Sequence, residues 1–104
     1  MNGLNRMMTS AVAGLLLAAA PAWAKDRLAF GTTAQSSVHY TYAVSAAKAV
    51  NDNSEDLDVT VIATGGAVDN LHRISRGQIN LGLGTFDTIY QAYAGLGKFE
   101  GQAM

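Results

Sequence analysis

Apolar residues change their spacing along the chain, and each spacing predicts a secondary structure. Three segments carry apolar side chains at helical spacing, and a short β-branched or apolar run precedes each of them. The predicted strands are 27–30, 57–63 and 80–84, and the predicted helices are 38–50, 67–76 and a third that Thr85 or Asp87 caps and that ends near Ala94. The order βαβαβα predicts parallel strands with right-handed crossovers. We therefore expect an α/β fold, a parallel sheet with helices on both faces.

The first 24 residues differ from the rest and predict a secretory signal peptide. Arg6 precedes an apolar stretch over 7–20, and Ala22-Trp23-Ala24 then provides a small-residue cleavage site before Lys25. The alternative is an uncleaved membrane anchor, but a span needs about 20 apolar residues and this stretch is shorter. We expect a mature chain of 25–104 in the periplasm.

Charge and cysteine content narrow the possible partners. The chain has a formal net charge of −1 and no cysteine. Without a basic patch or tail, neither nucleic acid nor anionic lipid is an expected partner. Small secreted domains usually depend on disulfides, so their absence favours a larger apolar core than 25–104 can supply. Since the last residues also predict a loop, we expect 25–104 to be a truncated portion of a larger domain.

Small and hydroxylated residues follow all three predicted strands, in the loops 32–37, 64–67 and 85–87. Ligands of parallel sheets bind at the carboxyl ends of the strands. Backbone N–H groups that open a helix attract anions, and hydroxyls can donate or accept. The loops thus predict a site for a small anion or polar solute. Two alternatives stay open: Ser37 can serve only as a helix cap, and Gly65-Gly66 only as a turn.

The histidines and serines of the chain do not match the sequence patterns of catalytic or metal-binding sites that we considered. His39 and His72 lie on different predicted helices, without metal-ligand spacing, and are expected at the surface or at a loop edge. The serines lie outside a Gly-x-Ser-x-Gly elbow, and residues 31–37 lack the Lys-Ser/Thr of a phosphate loop. We expect no enzyme activity, no cofactor and no metal.

Three segments of the chain resemble the TAXI-type solute receptors of TRAP transporters, the tripartite ATP-independent periplasmic transporters. They are GTTAQSSVHYTYAVSAAKAVN at 31–51, ATGGAVDNL at 63–71, and RGQINLGLG followed by DTIYQAY at 76–93. The resemblance covers nearly all of 28–99. It implies the start of the first lobe of a two-lobed periplasmic receptor, a type II periplasmic-binding-protein fold that closes on its ligand.

The resemblance also implies a function and a set of contacts. The implied receptor is a monomer that delivers a small organic anion, an amino acid or dicarboxylate such as glutamate, to the TRAP membrane permease. The implied ligand-binding residues are Thr32, Thr33, Ser36, Ser37, Tyr40, Thr64, Gly65, Gly66, Ala67, Asn70, Thr85, Asp87 and Tyr90. Ser36-Ser37 and His39 replace a Gly-Gly and a tyrosine common in that family, and Thr41 replaces a proline. Ligand identity therefore does not transfer.

Two other functions are weighed against this one. The first is an extracytoplasmic sensing or accessory domain that presents its ligand to a signalling partner, in which case its gene would neighbour or fuse to a kinase rather than a many-span permease. The second is a secreted enzyme on a similar scaffold. It is disfavoured because no nucleophile and base can be paired from these residues.

The signal-peptide hypothesis predicts the first residue of the mature protein. We expect intact-mass and N-terminal sequence analysis of the periplasmic fraction to find a chain that begins at Lys25, because cleavage follows the small residue Ala24. A product that still carries Met1 would show that the segment is an anchor.

Overall fold

A computed structural model describes residues 24–104 and confirms the α/β class. The predicted signal peptide lies outside the described residues except for Ala24. The elements are β1 (Asp26–Gly31), α1 (Val38–Asn53), β2 (Leu57–Ile62), α2 (Ala67–Ser75), β3 (Leu81–Gly82), α3 (Phe86–Ala94) and a 3₁₀ turn (Gly97–Phe99).

The sheet has the strand order β2-β1-β3, and both strand pairs are parallel. Val59 and Val61 of β2 face α1, because they line a groove with residues of that helix. Gly31 of β1 is the register partner of Ile62, the residue that follows Val61 in β2. Gly31 faces Asn70 of α2. Alternate residues of a strand point to opposite faces. The helices α1 and α2 therefore cover opposite faces, as the pattern predicts, and all three strands end at one edge.

Two element boundaries differ from the predicted ones. Helix α1 continues to Asn53, past the predicted end at Val50, because the Asn53 amide donates to the Ala49 carbonyl (2.8 Å) and the Ser54 N–H to the Val50 carbonyl (2.8 Å). Strand β3 is shorter than predicted because it pairs only with Phe30 and Gly31 at the end of β1.

The chain after α3 packs more tightly than the loop expected there. Gly95 ends α3 in the left-handed conformation, with φ 66°, and the 3₁₀ turn follows. Phe99 is only 1% exposed, and its ring lies 5.1 Å from the ring of His72. His72 is therefore a half-buried packing residue of α2.

A buried amide joins the three strand ends. Asn70 of α2 is 1% exposed, and its side-chain nitrogen donates to the carbonyls of Thr32 (2.8 Å) and Leu83 (2.8 Å), with that of Gly31 at 3.3 Å. Its oxygen lies 2.6 Å from the Thr64 hydroxyl. The helix approaches so closely that a Cβ at Gly31 would lie 2.6 Å from the Asn70 oxygen. One side chain thus connects residues that follow β1, β2 and β3.

We expect Asn70→Ala to lower the free energy of unfolding by about 3 kcal/mol, because it leaves buried carbonyls without a donor and opens a void. Urea unfolding of the unaltered and variant proteins measures the change. The matched control is Asn53→Ala, an exposed asparagine with one hydrogen bond, for which we expect less than about 0.5 kcal/mol. Equal losses from both variants would show that Asn70 does not hold the strand ends together.

Candidate ligand-binding cleft

A cleft of about 200 Å³ lies at the carboxyl edge of the sheet. The connections that follow β1 and β3 contribute to it, together with the first turns of α1 and α2. The lining residues are Thr33, His39, Ala67, Leu83, Gly84 and Thr85. This is the edge at which parallel sheets bind their ligands.

Thr32 holds the first loop, between β1 and α1, in place through hydrogen bonds to β2. This residue is fully buried, and both its hydroxyl (2.8 Å) and its N–H (3.0 Å) donate to the Ile62 carbonyl at the end of β2. The next residue, Thr33, lines the cleft, and its hydroxyl hydrogen-bonds to that of Ser37. Ser37 caps α1 by accepting from the Tyr40 N–H (3.1 Å). The open question about Ser37 is therefore answered in part, since it does serve as a cap.

The second loop, between β2 and α2, already uses two of its own N–H groups. The Gly65 N–H donates to the Asp69 carboxylate (2.9 Å), and the Gly66 N–H donates to the Thr64 hydroxyl (3.2 Å). The Thr64 hydroxyl oxygen also lies 2.7 Å from the Thr32 carbonyl, so its one hydrogen serves either that carbonyl or Asn70. A ligand anion would have to displace Asp69 to reach Gly65.

Asp69 is held in its charged form by two partners. The Gly65 N–H and the Arg73 side chain, whose Nε lies 3.0 Å from the carboxylate, keep the pKa of Asp69 below its ordinary value of 3.8. Its position in the first turn of α2 also suits the positive end of the helix dipole.

The third loop, between β3 and α3, is likewise followed by a carboxylate in the first turn of the next helix. Thr85 is the residue before α3, and its hydroxyl hydrogen-bonds to that of Thr88 (2.8 Å). The nearby Thr85 side chain lowers the pKa of Asp87, in the first turn of α3, below its ordinary value. Asp87 and Tyr90 are exposed and do not line the cleft.

The expected site residues occupy six different positions relative to the cleft. Thr33, Ala67 and Thr85 line the cleft, while Thr32, Thr64 and Asn70 lie behind it and hold its loops. Gly66 is buried between them, and Ser36, Gly65, Asp87 and Tyr90 are exposed. Ser37 caps α1. Tyr40 lies apart from the cleft, in an open groove of about 400 Å³ between α1 and β2.

That groove is larger than the cleft but is poorly placed for a ligand of this fold. It lies along the flank of the sheet, where Val44 and Ala47 of α1 face Val59 and Val61 of β2. No strand-to-helix loop opens into it among residues 24–104. We therefore take the cleft as the candidate site.

Three lining residues were not among the expected site residues, namely His39, Leu83 and Gly84. His39 lies two residues after the Ser37 cap, and the first turn of a helix that begins at the carboxyl edge necessarily borders that edge. The position of His39 at the cleft could therefore have been predicted from the sequence. Leu83 and Gly84 follow β3, and the predicted strand had included them.

The three helix N-termini at the cleft differ in charge. Helices α2 and α3 carry Asp69 and Asp87 in their first turns, and these carboxylates offset the positive ends of the helix dipoles. Helix α1 has no acidic residue in its first turn and has His39 there instead. The α1 side of the cleft is therefore the side more favourable to a negative charge.

Two further observations concern the described part of the chain alone. Residues 24–104 contain no cluster of three or more His, Cys, Asp and Glu side chains that could hold a metal ion. Over the same residues, no helix combines the length and apolar character that crossing a membrane requires.

A small parallel α/β sheet flanked by helices, with a cleft at its carboxyl edge, is consistent with the start of a lobe of the periplasmic-binding type. Residues 30–104 match the model of the NMT1-like family, and the chain belongs to that family. It is a family of binding proteins rather than enzymes, typically found outside the cytoplasm, which confirms the general solute-binding role. A search of curated proteins finds no match. The TAXI subtype, the TRAP permease and the ligand stay predictions.

The contacts of Asp69 predict how the second loop responds to acid. Because the carboxylate form is stabilised, we expect the Gly65 amide resonance to titrate with a midpoint below 3.8 as the pH falls and the hydrogen bond is lost. Arg73→Ala should raise this midpoint, though not to 3.8, because the Gly65 N–H is the larger cause. Arg76→Ala removes a cation that does not affect Asp69 and serves as the control. A midpoint at or above 3.8 in the unaltered protein contradicts the arrangement.

Proposed function

We propose that this chain is the solute-capturing component of a TRAP-type secondary transporter and that the cleft takes a small organic anion. One observation carries the proposal: a single cleft at the carboxyl edge of the sheet is lined by the loops after β1 and β3 and by the first turns of α1 and α2. Membership of a binding-protein family supports it, and so do the three segments that resemble TAXI-type receptors.

The lining favours a ligand with a polar end and a short apolar body. The Thr33 and Thr85 hydroxyls can donate or accept, whereas Ala67 and Leu83 provide apolar contacts. The anionic end lies toward α1, because the Asp69 and Asp87 carboxylates occupy the first turns of the other two helices. An amino acid or dicarboxylate such as glutamate has these features.

The expected site residues take two roles in this proposal. Thr33, Ala67 and Thr85 contact the ligand directly, and Gly66, whose Cβ position would lie 3.9 Å from the Thr33 methyl, keeps the second loop beside Thr33. Thr32, Ser37, Thr64 and Asn70 are positioning residues whose hydrogen bonds fix the loops. Ser36, Gly65, Asp87 and Tyr90 are exposed, and Tyr40 borders the flanking groove, so these would meet the ligand only when a second lobe closes.

Binding and delivery then form one cycle without a chemical step. Residues 1–24 direct export to the periplasm, and 25–104 form the N-terminal portion of the first lobe. The ligand binds at the cleft, the lobes close about a hinge, and the closed monomer docks on the permease. The partner surfaces are those of the second lobe and the permease, and neither cofactor nor metal takes part.

The position of Gly66 provides a test of the cleft. Its φ of 100° is strained for any side chain, and a β-branched residue there would disturb the second loop beside Thr33. We expect Gly66→Val to weaken glutamate binding at least about tenfold by calorimetry while far-UV helix content stays near that of the unaltered protein. Radiolabelled uptake through the permease should fall in parallel.

A matched control separates loss of the site from loss of stability. Gly77 also has a positive φ, 68°, but it follows α2 and lies outside the cleft. Gly77→Val also places a β-branched residue at a positive φ, and we expect it to keep its affinity for glutamate. If both variants bind as the unaltered protein does, the cleft is not the ligand site.

A further inference from the structure

We infer that His39 determines the charge preference of the cleft and makes the capture of anions dependent on pH. The inference rests on the proposed function, since it concerns the same cleft. Its basis is the composition of the lining: His39 is the one ionisable side chain among the six residues that line the cleft, and the other five are uncharged.

The surroundings of His39 leave its ring available to a ligand. The residue is exposed at the rim, and no hydrogen bond from its side chain to another residue of 24–104 is present. Thr33 and Thr85 line the same cleft, and their hydroxyls, which hydrogen-bond to those of Ser37 and Thr88, each have capacity for a further hydrogen bond. A ligand carboxylate seated between these groups would meet an N–H donor from the imidazole as well as the hydroxyls.

Other ionisable groups lie on the elements that border the cleft, yet none of them lines it. One carboxylate there already has partners, since Asp69 accepts from the Gly65 N–H and from Arg73, and the other, Asp87, is exposed and lies outside the lining. On α1, Lys48 pairs with Asp52 (2.7 Å). The remaining ionisable side chains on these three helices are Tyr40 and Tyr42 on α1, His72 on α2, and Tyr90 and Tyr93 on α3.

The chemistry of histidine then gives the direction of the effect. A histidine side chain changes its charge between about pH 5 and pH 8, and its cationic form donates from both ring nitrogens. The cation attracts a carboxylate, whereas the neutral ring offers at most one hydrogen bond. An exposed pair of this kind contributes little more than a fivefold change in affinity. Anions should bind more tightly at the acidic end of the range.

Glutamate binding to the full chain at two pH values tests the inference. The charges on glutamate are nearly constant between about pH 5.5 and about pH 8, so a change in affinity reports on the protein. We expect calorimetry to give an affinity about fivefold tighter at the lower pH. His39→Gln should remove this dependence, and His39→Arg, which stays charged, should bind tightly at both values.

His72 provides a control within the same chain. It lies on α2 against Phe99 and does not line the cleft, so His72→Gln should keep the pH dependence of the unaltered protein. In NMR spectra, glutamate should shift the ring resonances of His39 and leave those of His72 in place.

The other outcomes separate the two hypotheses. If glutamate binds equally well at both pH values, or if His39→Gln keeps the dependence, the inference about His39 is wrong and the solute-binding cleft stands. If glutamate does not bind the unaltered protein at either pH, the proposed glutamate-type ligand and the inference both fail.

Discussion

The structure depends on one buried amide, the side chain of Asn70. An amide placed in an interior without hydrogen bonds costs several kcal/mol, and Asn70 avoids that cost by bonding to groups that follow each of the three strands. The same contacts fix how closely α2 approaches the sheet. Glycine at positions 31 and 82 is the consequence, since a Cβ at either would lie within 3 Å of an Asn70 atom. The strand ends and the first residues of the loops are therefore positioned together.

This arrangement divides the hydroxyl groups of the loops into two sets. Thr32 and Thr64 lie on the protein side and use their hydroxyls on Ile62, Thr32 and Asn70. Thr33 and Thr85 lie on the cleft side, where part of each residue lines the cleft. The inner set holds the loops in place, and the outer set can meet a solute. A rich content of threonine and serine thus serves both structure and binding, with adjacent residues taking different roles.

The charges around the cleft make one of its sides more favourable to an anion than the others. Three helices begin around it, and their dipoles all present a positive end to the same region. Two of these ends are offset by carboxylates of the chain itself, Asp69 and Asp87, and the third has His39 in place of an acid. A small anion would therefore find its most favourable position beside α1. The asymmetry arises from single residues in the first turn of each helix.

Local patterns in the sequence were enough to predict the order of the elements, the parallel sheet and the edge at which the loops gather. Apolar periodicity and glycine or asparagine stops are local signals, and they located every strand and helix to within a few residues. Three features could be seen only in the tertiary structure. Thr32 is buried while Thr33 lines the cleft, and Phe99 packs on His72. The Asn70 side chain holds the strand ends together through its hydrogen bonds. Thr32 bonds to Ile62, 30 residues away in the chain, and Asn70 bonds to Thr32 and Leu83, which are 38 and 13 residues away. A local pattern carries no information about which distant group takes a given hydrogen bond, so these roles emerge only when the strands pair and α2 packs against them.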